Sequence, residues 1–456
     1  MITDQHSPHT HRHETEASVV VPGIDAPSTV ACLRSLRPRG IRTIVGSESA
    51  STPAADSNYC DEFVSLPDPT TDLLAYGDAL RALAERPDVR TIVPVREEDV
   101  FVLADRKAEF AEEVETLWPG FETLRRVQDR IELFAAADAA DVAVPETALL
   151  DQWDDWERET IVKPRYTVAA PPYLGPEYDR IEIGSTEYQT PGHPPDLQAA
   201  VEKRGHVPLV QERIPDSREF GFFALYEDGD PVATFQHCQH RGWKYCGGPS
   251  AYRESVYDPD LEAAGRALLG ELEWHGLAMV EFLYCPDDEE YKLMEVNPRF
   301  WSSLPFSVRV GADFPYYYWQ RANGDPIGTD ETYDVGVGGH LLRGELSYLH
   351  SVATETYPVV ERPSFATALR EVTSSLVRHP RFDYAVLDDP MPFVRDCTNL
   401  LRAWRNVRSN TESSAEDAGT ASPSDARGSA ARDRSESSST PSHGDSSSRT
   451  VDQVDG

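Results

Sequence analysis

Lysine is almost missing from this 456-residue chain: Lys107, Lys163, Lys203, Lys244 and Lys292 stand against 38 arginines and 78 acidic side chains, for a net charge of −35. No run approaches the roughly 20 apolar residues that a bilayer crossing needs, which excludes a membrane-spanning helix. An apolar h-region is lacking near the start, so secretion is not expected and a cytoplasmic location is. No basic stripe interrupts the acidity, and so large a negative charge repels a phosphate backbone, so nucleic acid is not an expected partner. The six cysteines (Cys32, Cys60, Cys238, Cys246, Cys285, Cys397) form no CxxC pair or zinc-type spacing and read as buried thiols in a reducing compartment. GxGxxG is absent too, so the sequence does not support dinucleotide binding.

What is present begins with the acidity. Carboxylates stay hydrated where salt screens their repulsion within about 3 Å at 1 M, so an acid-rich, lysine-poor surface fits a halophile's cytoplasm. A generic acidic protein with acidic tails is the alternative, but it leaves the scarcity of lysine unexplained. The 39% hydrophobic content suffices for a core, and the length suggests about two to four domains.

The first pattern is βαβ: Val19–Val21, a helix over Ser28–Leu36, Gly40, a strand Arg42–Val45, a helix Asp72–Glu85 and a strand Thr91–Val95. Its turn Gly23-Ile24-Asp25 can face a ligand. A helix Arg130–Ala140 and a Trp/Asp-rich helix lead to a strand Thr160–Lys163. From Val207 the pattern becomes antiparallel, with strands Leu209–Arg213, Glu219–Glu227 and Pro231–Gln236. A helix Pro259–His275 then precedes a hairpin, Ala278–Tyr284 and Tyr291–Val296. Residues 333–407 read as mainly helical. After about Asn410 the composition is too polar to offset the entropy of ordering, so a disordered tail is expected. The His-rich start (His6, His9, His11, His13) reads as a disordered extension with at most adventitious metal binding.

The chemistry concentrates in the last hairpin. Pairing Glu281 opposite Glu295 centres the loop on Asp288, and alternation puts Glu281, Glu295 and Asn297 on one face. Facing carboxylates repel unless neutralised. A hard divalent cation such as Mg²⁺, with carboxylate, amide and phosphate oxygens around it, does that; a solvated acidic pair is the alternative. Glu212 and Glu219 flank the short connection Pro215-Asp216-Ser217, which can offer backbone groups to a purine edge and a carboxylate to ribose hydroxyls. Lys163, at a strand end in a chain that avoids lysine, reads as a phosphate ligand. Arg130, opening its helix, is a weaker candidate.

The order Arg130, Lys163, Glu212, Glu219, Glu281, Glu295-x-Asn297-x-Arg299 resembles the ATP-grasp superfamily over roughly residues 17–330, including the segment Ser57–Val64 that often closes the preceding lobe. A halophilic archaeal source accompanies that resemblance as an expectation. It implies an α/β plus α+β protein: a Rossmann-like pre-ATP-grasp lobe (17–120), an ATP-grasp domain (121–330) and a mainly helical C-terminal extension (331–408), between disordered segments 1–16 and 409–456.

By the same resemblance, ATP is held by Arg130, Lys163, Gln211, Glu212, Ile214 and Glu219, with Glu212 and its neighbours at adenine and Glu219 at ribose. Glu281, Glu295 and Asn297 coordinate one or two Mg²⁺, or Mn²⁺ in its place. Arg299 and Lys163 carry catalysis, Arg299 by stabilising the transferring phosphoryl group. The implied activity is an ADP-forming ligase that joins a small-molecule carboxylate, activated as acyl phosphate, to an amine. A carboxylase, a small-molecule kinase and a non-catalytic nucleotide sensor are the alternatives, and a homodimer is the assembly to look for.

On the substrate side, Gln236–Lys244 reads as a strand running into a loop. Cations gathered there in so acidic a chain suggest an anionic substrate, with Arg241, Lys244 and Arg253 as candidates; local ion pairing is the alternative. Two departures from the family stand out. Arg130 replaces a customary lysine, and Pro164–Gly184 is rich in Pro and Tyr where a glycine-rich flap is usual.

Overall fold

The computed structural model describes residues 17–168, 170–174, 186–328 and 332–402. The expected extensions 1–16 and 409–456, and residues 169 and 175–184 of the flap segment, lie outside the described residues.

Strand β1 (Ser18–Pro22) is buried along its whole length, as a strand covered on both faces must be. The helix Pro27–Leu36, with proline in its first turn, returns the chain to β2 (Arg42–Ser47). With β3 (Glu62–Ser65) and β4 (Val89–Ile92) these form a parallel sheet in the order β3-β2-β1-β4. Asp72 caps the helix Leu73–Ala84 by accepting from the Ala75 amide. The expected ligand-facing turn is claimed by the chain itself, since Asp25 accepts from Arg343 and Asn399.

A small antiparallel sheet follows: β5 (Thr147–Leu149), β6 (Thr160–Lys163), β7 (Glu187–Gln189) and β8 (Leu209–Glu212), in the order β5-β8-β6-β7. The helix expected from the Trp/Asp-rich stretch is instead a series of turns. There the Trp153 indole donates to the Asp155 carbonyl, and acidic side chains that compete for backbone donors favour turns over helix.

The large sheet holds β9 (Arg218–Glu227), β10 (Asp230–Lys244), β11 (Gly247–Ser255), β12 (Gly276–Cys285), β13 (Glu290–Asn297) and β14 (Gly338–His340). It is antiparallel throughout, in the order β13-β12-β9-β10-β11-β14. Alternation along β9 sorts its faces. Phe220, Phe222, Ala224 and Tyr226 share a core with Leu261, Leu268 and Leu269 of the helix Pro259–Glu271. Phe223 and Leu225 pack instead with Phe300, Trp301, Leu304 and Phe306. The helix lies so close that a Cβ on Gly265 would meet the Phe222 ring at 2.3 Å.

One expectation is corrected here. The stretch Gln236–Lys244 is strand rather than loop, bent by register shifts at Gln239/Arg241, Arg241/Gly242 and Gly242/Lys244. The C-terminal extension is not only helices, because β14 supplies the sheet's sixth strand. Its helices Leu342–Thr354 and Phe365–Arg378 and helical residues 391–402 are fastened by ion pairs, among them Arg34–Asp389 (2.9 Å) and Arg343–Asp396 (2.8 Å). Cys32, Cys238 and Cys285 are buried and the other three cysteines partly so; all six are free. Among the described residues no helix is long and apolar enough to cross a membrane.

Candidate active site

Glu281 of β12 pairs with Glu295 of β13, and Met279 pairs with Asn297. The register shifts between Glu281 and Phe282, where Met294 is extra. Such a bulge re-aims neighbouring side chains. Glu281, Glu295, Asn297 and Arg299 line one wall of a cavity of about 510 Å³, and Lys163, Arg130 and Glu219 line it as well.

The charges are arranged to compensate one another. Burial and the neighbouring charge of Glu295 push the Glu281 carboxyl up. Burial also works against the charge of Glu295, but the Arg130 guanidinium and the Lys163 ammonium hold its carboxyl below the usual value. Arg130 donates to Glu295 at 2.9 Å and to the Pro164 carbonyl at 2.9 Å. The Asn297 amide donates to Glu281 at 3.2 Å and to Glu295 at 3.4 Å. The acidic pair is thus surrounded by positive partners the chain itself supplies. Lys163, only 6% exposed, is lowered to about 8 by burial, with the Arg130 charge adding to it. Burial raises Glu219 to about 7, against a hydrogen bond from Gln239.

Arg299 is held by a residue that sequence reasoning missed. Its Nε donates to Glu97 at 2.8 Å, and its Nη2 donates to Asn297 Oδ1 at 3.1 Å. Glu97 opens the helix Glu97–Asp105 just after β4 and is 3% exposed. The available signal was position: ligand-directed residues gather beyond the carboxyl ends of parallel strands, and Arg96-Glu97-Glu98-Asp99 is a charge cluster there. Gln239 and His237, on β10, also line the cavity; reading their segment as a loop concealed their place in the sheet.

A second cavity of about 430 Å³ shares Ile161, Glu219, Leu283 and Met294 with the first and is lined by Gln211, Glu212 and Ile214. Gln211 Oε1 is buried without a hydrogen-bond partner in the protein. The Glu212 carboxylate is already engaged, by the Glu146 amide at 3.0 Å, by Arg158 at 2.7 Å and by Lys292 at 3.6 Å.

Of the three proposed substrate cations, Arg241 and Lys244 both line the second cavity and Arg253 lines neither. Lys244 lines both cavities, 3.5 Å from Glu355 and over the Tyr357 ring. Arg241 forms a two-point pair with Glu345 and donates to Ser375. Arg253 is fully buried against Asp383. Glu345 and Ser375 lie on C-terminal helices and Asp383 lies between helical segments, so both guanidiniums are balanced by acids of this extension.

Among the described residues no cluster of three or more His, Cys, Asp or Glu side chains suits a metal. Glu281 and Glu295 nonetheless offer carboxylate oxygens that fit a hard cation, with Asn297 beside them turning its amide nitrogen to both and its oxygen to Arg299.

No family model and no curated protein matches the sequence. Solved structures do match the fold. An ADP complex of N5-carboxyaminoimidazole ribonucleotide synthetase is similar at TM-score 0.54 and 14% identity, over 80% of this chain and 97% of that one. A biotin carboxylase from Campylobacter jejuni in complex with an ATP analogue is similar at TM-score 0.53 and 14% identity, over 70% and 74% of the two chains. An L-amino acid ligase from Bacillus licheniformis is similar at TM-score 0.50 and 14% identity, over 69% and 76%. Likeness at such identity establishes architecture alone: this chain shares the fold of these three enzymes.

Proposed function

We propose that this protein is an ATP- and Mg²⁺-dependent ligase that activates a small-molecule carboxylate as an acyl phosphate for attack by an amine, releasing ADP and phosphate. The observation that carries the reading is the facing pair Glu281 and Glu295 on the wall of a cavity shared with Lys163 and Arg299. Arg130 and Lys163 offset the charge of Glu295, whereas Glu281, pushed up by burial and by Glu295, accepts from the Asn297 amide and would still gain from a cation. The fold, common to a ribonucleotide synthetase, a biotin carboxylase and an amino acid ligase, supports nucleotide use at this wall.

In this reading the base lies in the second cavity, against Ile214 and Gln211, and meets the backbone near Glu212 rather than its engaged carboxylate. Glu219 takes the ribose hydroxyls. Lys163 and Arg130 take phosphate oxygens, Arg130 turning from Glu295 as it does so. Glu281, Glu295 and Asn297, its amide rotated to present oxygen, hold the magnesium. The metal, when bound, supplies charge neutralisation on the phosphate oxygens. Arg299, kept in place by Glu97, faces the charge that develops during transfer, where preorganised donors contribute most. No enzyme nucleophile is needed. The acidic, lysine-poor surface fits a protein that works in high salt.

The test is ADP release in concentrated salt with MgATP, a panel of carboxylates and a panel of amines. Carboxylate-dependent ADP with amide formation supports the ligase. Nucleotide binding without turnover in every combination would replace it with a sensor, and a stable phosphorylated product with a kinase.

A further inference from the structure

Beyond Glu281 the cavity wall continues along one row of the large sheet: Glu281 on β12, Gly221 on β9 and His237 on β10, paired in register. Residues paired this way share a face, and neighbouring strands lie about 4.8 Å apart. His237 therefore stands two strands, roughly 10 Å, from the Glu281 backbone. Only a glycine lies between. A Cβ on Gly221 would come 3.4 Å from His237 Nε2 and 2.4 Å from the Phe223 ring, so any side chain there would collide with that ring and crowd the imidazole; with glycine in place, Gly221 and His237 both line the cavity.

The rest of the imidazole is enclosed. Ring centroids of Phe223, Phe235 and Phe306 lie at 4.6, 6.2 and 6.2 Å. The residue is 2% exposed and its Nδ1 has no hydrogen-bond partner. Burial, with the nearby Arg253 and His240, holds the ring neutral, well below the ordinary histidine range. A neutral imidazole carries one N–H and one lone pair, and no protein partner at Nδ1 fixes which nitrogen bears the hydrogen. For packing alone, another apolar ring would fill this place without leaving a buried nitrogen unpaired. The polar edge toward Gly221 is what distinguishes histidine here.

We propose that His237 is a substrate-binding residue whose neutral Nε2–H donates to one oxygen of the carboxylate being activated, at the end of the cavity beyond the phosphates. The inference rests on the ligase reading and adds the group that receives the substrate. In the step concerned the other carboxylate oxygen attacks the γ-phosphorus, forming an O–P bond. The bond from that phosphorus to the β,γ-bridging oxygen breaks, and ADP leaves with the electron pair. No proton moves in this step. When the amine then attacks the acyl carbon, the C–O bond to phosphate breaks, phosphate leaves with its electron pair and takes the proton lost by nitrogen. His237 holds the carbonyl oxygen through both steps. A neutral donor suits the first, because a cation paired to the carboxylate would oppose its attack; it suits the second as an oxyanion donor.

The test compares wild type, His237→Phe and His237→Gln, with MgATP, the L-amino acids as carboxylate probes and hydroxylamine as nucleophile, reading ADP and hydroxamate. ADP affinity by calorimetry and melting temperature are measured alongside. His237→Phe is expected to lose about 100-fold or more in carboxylate-dependent turnover while ADP affinity and melting temperature hold, and His237→Gln, which keeps an N–H donor, to retain activity within about tenfold of wild type. Wild-type turnover in His237→Phe would overturn the inference. So would parallel loss of turnover and ADP affinity in both variants, which marks a structural residue. Wild-type protein that binds ADP but releases none with any carboxylate would overturn the ligase reading itself, and this inference with it.

Discussion

Arg130 donates to Glu295 across 2.9 Å, so the carboxylate directly opposite Glu281 is neutralised by a guanidinium from the helix Arg130–Ala139. The pair is one side of a balance. Any ligand cation that takes Glu295 must share it with Arg130 or release that arginine toward phosphate.

Glu295→Gln removes one charge from the wall at almost no change in volume. ADP release in the ligase assay is expected to fall by at least about 100-fold with the melting temperature nearly unchanged. Unaltered turnover would end the assignment of Glu295 to the cation.

Nucleotide affinity should follow pH as a bell. In the proposed nucleotide site Glu219, raised to about 7, accepts ribose hydroxyls most strongly once ionised, so affinity is expected to rise as pH passes that value. Lys163, lowered to about 8, loses its charge above that value, and affinity falls again. Their stability effects run separately. Because Glu219 has a raised value, the folded state holds an extra proton between the unfolded and folded values, and its contribution is lost as pH rises through about 7. Lys163 has a lowered value, so its burial penalty applies in full below about 8 and is relieved above it. Calorimetric titration of ADP across this range checks the bell; a flat profile contradicts it.

Asp383→Ala leaves Arg253, with no solvent exposure, without its carboxylate. Breaking a buried pair by removing one partner costs about 3–5 kcal/mol. Denaturant unfolding in high salt should show a loss of that order, and the double variant Arg253→Met with Asp383→Leu should recover much of it.

Glu97→Gln keeps the shape beside Arg299 and removes the charge that orients its Nε. Turnover should fall about tenfold or more while ADP affinity stays put, since Glu97 touches Arg299 and not the nucleotide wall. Equal losses in both would show that Glu97 acts on folding instead.

The pairing of Glu281 with Glu295 was legible because turn signals around Asp288 fix the register of a hairpin. The bulge at Met294 was not, since an inserted residue leaves no mark in composition. Lys163 drew notice through scarcity. Glu97 escaped it because its contact to Arg299 joins residues far apart in the chain, and no local period records that. The long strand β10 was read as ending at Gln236 because its later residues are polar on both faces, one toward the cavity and one toward C-terminal acids. In β14, two glycines in three residues carry no strand propensity, and the edge of β11 on one side and residues 381–383 on the other order them.

That late strand has a consequence during synthesis. The acidic hairpin is complete at Asn297, yet the sheet's far edge, and the acids that neutralise Arg241 and Arg253, arrive only with His340, Glu345 and Asp383. A nascent chain halted between those points carries the whole acidic hairpin on a scaffold with an open rim and uncompensated arginines. Closure of the sheet's edge and neutralisation of these arginines therefore wait until residues 340–383 have been made.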